Sequence, residues 1–69
     1  MREYHRIIVK DICANETEEI IDGNLGTKCE WLDGSDDTGN IYTVSAMDEE
    51  CFISALNSLE EVGADVEEF

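Results

Sequence analysis

Between Tyr4 and Ile12 the chain runs through a block of β-branched residues centred on Ile7, Ile8 and Val9. Apolar side chains at successive positions suit a strand in the middle of a sheet, so this block predicts a central strand. Asn15-Glu16-Thr17-Glu18 follows, with a side chain able to accept from a free helix amide and a carboxylate three positions on. That capping-box pattern predicts a short helix carrying Ile20 and Ile21 inward, stopped at Gly23-Asn24 or Gly26.

From Thr27 to Leu32, Cys29 and Trp31 alternate with Lys28 and Glu30. From Asn40 to Ala46, Tyr42, Val44 and Ala46 alternate with Ile41 and Thr43. Both stretches have the two-residue period of a strand, and the wholly polar or glycine segment Asp33–Gly39 between them predicts an antiparallel hairpin. Ser45-Ala46-Met47-Asp48 reads as a second capping-box start. Behind it Met47, Cys51, Ala55 and Leu59 recur every fourth residue, joined by Phe52, Leu56 and Val62. This predicts an amphipathic helix over Met47–Val62, ended by Gly63. Ala64–Phe69 offers Val66 and Phe69 to a last short strand. Strand, helix, strand, strand, helix, strand is the split βαβ order of an α+β, ferredoxin-like fold, with one antiparallel sheet and both helices on one face.

Sixty-nine residues make a single domain, here 1–69, with no internal repeat or linker. Such a chain buries only about 60% of the surface it exposes when unfolded, which leaves little room for an enclosed substrate pocket and argues against an enzyme. The hydrophobic fraction of 42% suffices for a folded core, despite a formal charge of −14. Cys13, Cys29 and Cys51 are odd in number and lack CxxC spacing, and the first residues lack an apolar leader-like run. A cytoplasmic protein with reduced cysteines is expected, with no membrane contact.

The charge changes the picture most. Residues 1–10 carry a net +2 from Arg2, Arg6 and Lys10 against Glu3, whereas residues 11–69 carry −16, with Lys28 their one cation. Asp48, Glu49 and Glu50 fall where a helix begins, and a helix N-terminus favours negative charge by about 0.3–1 kcal/mol per residue. Glu16, Glu18 and Glu19 have the same local reason. Glu60 and Glu61 fall where a helix ends, which disfavours them, and no Lys or Arg lies three or four positions away. The acidic hairpin residues Asp33, Asp36 and Asp37 also lack a local reason. In the predicted topology Asp11, Glu16, Glu18, Glu19, Asp33, Asp36, Asp37, Glu60, Glu61 and Asp65 converge on one end of the sheet, and within a Debye length of about 8 Å such neighbours reinforce each other's field. Such a patch repels nucleic acid and attracts a strongly basic surface.

In length, composition and clustered Glu and Asp, the chain resembles the small phage-encoded DNA-mimic anti-CRISPR proteins. The resemblance implies a cytoplasmic inhibitor, acting in a bacterial host cell, that blocks the basic DNA- or guide-binding surface of a CRISPR effector subunit. On that reading Asp33, Asp36, Asp37, Glu60 and Glu61 bind the partner, with Glu16, Glu18 and Glu19 beside them, and the chain is expected to be a monomer. The alternative is a regulatory or small-molecule-binding domain laid out like an ACT domain, with an ordinary or halophilic acidic surface.

Other chemistry fits poorly. The carboxylates form open clusters rather than a cleft for acid–base work. His5, the only histidine, stands beside Arg6 with no serine or cysteine near it in sequence. Asp33–Gly39 matches a calcium loop at its first, third and fifth positions only, with Thr38 where glycine is needed and Val44 where the bidentate Glu should stand. Cys13, Cys29, Cys51 and His5 lack zinc-ligand spacing. No catalytic residue, metal or cofactor is expected, and direct nucleic-acid binding is opposed by the sign of the charge.

Overall fold

A computed structural model describes residues 2–69. The elements run β1 (Glu3–Lys10), α1 (Ala14–Gly23), β2 (Thr27–Ser35), β3 (Gly39–Ala46), α2 (Glu49–Glu61) and β4 (Asp65–Glu68). The four strands form one sheet in the order β2-β3-β1-β4, and every neighbouring pair is antiparallel. This is the ferredoxin-like arrangement expected from the element order.

One face of the sheet meets the helices. Ile7 and Val9 of β1 and Tyr42, Val44 and Ala46 of β3 are fully buried there, against Ile21 of α1 and Phe52, Ala55 and Leu59 of α2. The alternate residues, Tyr4, Arg6, Ile8 and Lys10 on β1 and Ile41, Thr43 and Ser45 on β3, point to the opposite face, which no helix covers. Gly39 is needed where it stands. Its φ is +103°, and an added Cβ would lie 2.9 Å from Cγ of Lys10 and 3.1 Å from Ile8, so a side chain would both strain the backbone and meet its neighbours.

Several boundaries differ from the sequence reading. The first helix is not capped by an Asn15–Glu18 box. Its N-cap is Cys13, which makes no side-chain cap bond, and the turn into it passes through Asp11 in a left-handed conformation (φ 74°), a geometry Asp tolerates better than most residues. The second helix starts later than Met47, because Asp48 rather than Ser45 is its N-cap and accepts from the Cys51 N–H at 2.9 Å. The hairpin is also longer than expected. β2 continues past Leu32 to Ser35 through a register shift between Trp31 and Asp33, leaving only residues 36–38 as the turn. At the far end of α2, Gly63 (φ 90°) donates to Glu60 and Ala64 to Leu59, which satisfies the last helical carbonyls.

Candidate functional site

The strand register fixes which carboxylates meet. Val9 pairs with Asn40 and Lys10 with Asp65. The end of β1, the β2–β3 turn, the start of α1 and the end of α2 therefore share one end of the sheet. Asp36 and Asp37 in the turn, Glu16 in the first turn of α1, and Glu60 and Glu61 closing α2 stand there, and α2 has no basic residue in its last turn. Glu18 and Glu19 lie farther along α1. Asp33 is set apart, because beyond the bulge it pairs with Ile41 and so belongs to the helix-free face.

Asp36 has a local role that its place in a polar turn does not suggest. Its Oδ1 accepts from the Ala14 backbone N–H at 3.2 Å and from Asn40 Nδ2 at 2.9 Å, and Asn40 Oδ1 in turn accepts from the Trp31 indole at 3.0 Å. The turn thus supplies the carboxylate that α1 lacks at its own N-cap.

Along α1, Asn15, Glu18, Glu19, Asp22 and Gly23 line an open depression. Asp22, which no motif or charge cluster singles out, accepts from the Cys29 backbone N–H at 3.1 Å and so occupies an amide on the edge strand. Burial, then the negative charges of Asp22 and Glu18, push the Cys29 thiol up to about 12. The same acidic surroundings reach inward to Tyr42. Burial raises its hydroxyl above the usual tyrosine range, opposed by the Thr17 hydroxyl and assisted by Glu18, Cys29 and Asp36.

The arrangement of charge over the whole molecule is the dominant property of the surface. The guanidinium of Arg2 bonds the Ser45 hydroxyl and the Gly26 and Ser45 carbonyls at the margin of the helix-free face. Arg6, Lys10 and Lys28 project from that face by strand alternation. All four cations therefore lie on the helix-free side, with four carboxylates, Glu30, Asp33, Asp65 and Glu67. The other fourteen of the eighteen carboxylates lie on the helical side and the ends, where the cations are limited to Arg2 and Lys10 at either end of β1, both turned to the helix-free face. The signal for this was present in the sequence: Arg2, Arg6 and Lys10 are an even number of residues apart and out of step with Ile7 and Val9.

His5 is on the helical side, its ring stacked on Phe52 with centroids 3.8 Å apart. Its Nδ1 lies 2.6 Å from Glu68 Oε2 and its Nε2 3.3 Å from Glu3 Oε1. Among the described residues no group of three or more His, Cys, Asp or Glu side chains is placed to hold a metal ion, and no helix is long and apolar enough to cross a membrane. No protein-family model matches the chain, and no curated protein or solved structure matches it significantly.

Proposed function

We propose that the protein is a non-catalytic inhibitor whose acidic helical side occupies the basic nucleic-acid-binding surface of a partner, a CRISPR effector subunit being the partner its resemblance implies. The observation that carries this reading is the sorting of charge: fourteen carboxylates on the helical side and the ends, with no Lys or Arg on either helix. A surface selected only for solubility mixes both signs, because unrelieved self-repulsion costs stability that a small domain has little of. A continuous anionic side opposes a groove built for nucleic acid, where the partner's own lysines and arginines supply the missing counter-charge.

The binding residues in this reading are Asp37, Glu60 and Glu61 at the crowded end, with Glu16, Glu18 and Glu19 along α1. Asp36 contributes charge while holding α1, and Asp33 contributes from the rim. The test measures displacement of DNA from purified effector complexes by the parent and by the triple variant Asp37→Lys, Glu60→Lys, Glu61→Lys. Loss of displacement with an unchanged or raised melting temperature is expected, and binding by the parent should weaken steeply from low to moderate salt. A triple variant that competes as well as the parent would refute this choice of surface. Unfolding of the parent without molar salt would instead support the halophilic, ACT-like alternative.

A further inference from the structure

The helix-free face of the sheet differs in kind from the rest of the surface. Tyr4 (70% exposed) and Phe69 (66%) flank Arg6, and with Thr43 they line a shallow pocket. Ile8 and Ile41 lie half-buried in the next row, and Leu32 stands exposed at the β2 bulge. Around this apolar centre are Arg6, Lys10 and Lys28 and the carboxylates Glu30, Asp33, Asp65 and Glu67. Among the described residues the ion pairs all involve His5 on the other side, so these charges have no intramolecular ionic partner.

We propose that this face is the interface of a symmetric dimer, the occupant being a second copy of the same chain. Three properties select that occupant. First, counted with Arg2 at its margin, the face is formally neutral and carries unpaired charges of both signs, so it can be complementary to itself; an isologous contact requires this of a single patch. Second, it is the one side where two such acidic molecules meet without opposing their carboxylates. Sheets packed face to face sit about 10 Å apart and hold the two helical layers outermost, beyond the ~8 Å Debye length. Third, the size fits. The longer two of the molecule's extents, 34 and 22 Å, set an outer limit of roughly 750 Å² on any one face, so a contact across the whole sheet face is of the order of the ~800 Å² per partner of a stable interface. The sequence reading expected a monomer; the placement of the charges, rather than their total, favours the pair. The inference stands independently of the proposed inhibitor function.

Sedimentation equilibrium on the full chain, from micromolar to millimolar concentration, tests it. The expected mass is twice the 7.7 kDa of the chain, with dimerisation unchanged or strengthened by added salt, because screening relieves repulsion between the acidic helical sides. Tyr4→Glu with Arg6→Glu should raise the dimer dissociation constant by about tenfold or more while circular dichroism stays that of the parent. Lys28→Glu, at the sheet edge, provides a milder second disruption should the double variant unfold. Glu49→Lys with Glu50→Lys, on the helical side, should leave the dimer intact. A single-chain mass at every concentration overturns the proposal, as does a folded Tyr4/Arg6 variant that dimerises as tightly as the parent. None of these readouts involves the inhibitor's partner, so the two readings fail separately.

Discussion

Asp36, in the turn between β2 and β3, caps α1 from outside the helix by accepting the backbone N–H of Ala14, 22 residues earlier in the chain. A cap of this kind is worth about 0.5–2 kcal/mol, and here the same oxygen also holds Asn40. Asp36→Ala should therefore lower the melting temperature by roughly 5–15 °C, the shift expected for ~1–2 kcal/mol in a domain this small. Asp37→Ala, its exposed neighbour, should not. Equal melting of the two variants in thermal denaturation would mean the cross-chain cap carries no weight.

The second helix makes a graded prediction. Leu59 is fully buried, whereas Leu56 is only partly buried at the margin of the core. Leu59→Ala should cost about 2–5 kcal/mol, a large part of the stability of so small a protein. Leu56→Ala should cost clearly less. Urea titration of both variants measures the difference, and the reverse order would contradict the packing of α2.

Tyr42 is fully buried, and among the described residues its hydroxyl completes no hydrogen bond: the nearby Thr17 hydroxyl donates to the Cys13 carbonyl instead. An unsatisfied buried polar group costs about 1–3 kcal/mol. Removing it with Tyr42→Phe keeps the ring packing, so the variant should be as stable as the parent or more so. A marked loss of stability on denaturation would show that the hydroxyl is bonded in solution.

The cysteines respond to pH in a fixed direction. With its folded pKa pushed up to about 12, above a free thiol's 9.0, Cys29 keeps its proton in the native state where the unfolded chain would release it. The contribution is present in full below about pH 9 and is lost as pH rises from there towards 12, so stability should decline over that alkaline window. Cys29→Ser should flatten the decline. Because the thiolate is the reactive form, alkylation followed by mass spectrometry at pH 8 should modify exposed Cys13 first and Cys29 last. Early labelling of Cys29 would mean that α1 does not shield it.

The sheet was legible because its patterning is local: the alternation through Thr27–Leu32 and Asn40–Ala46 identifies the hairpin, and Gly63 marks the end of α2. The start of α1 was not legible, since its cap arrives from a turn 22 residues away, and a search for an adjacent capping box settles on Asn15 instead. Composition groups Asp33 with Asp36 and Asp37 because all three lie in one polar run. The bulge after Trp31, which returns Asp33 to the opposite face, depends on pairing with β3 and leaves no mark in composition. The convergence of the remaining acidic groups on one end followed from element order alone, as topology requires.

The position of β1 at the centre of the sheet also governs how the chain is made. Its two neighbours are β3 and β4, so Ile7 and Val9 must wait for Asn40 and Tyr42 on one side and for Val66 and Glu68 on the other. During synthesis β1 emerges before the helix and hairpin segments, and one of its edges stays open until residues 65–68 have left the ribosome. Pairing partners so distant in sequence slow folding and delay it until β4 has been made. A ribosome stalled before Asp65 would hold a nascent chain with an unpaired, isoleucine-rich strand edge, the kind of surface that chaperones retain and proteases remove.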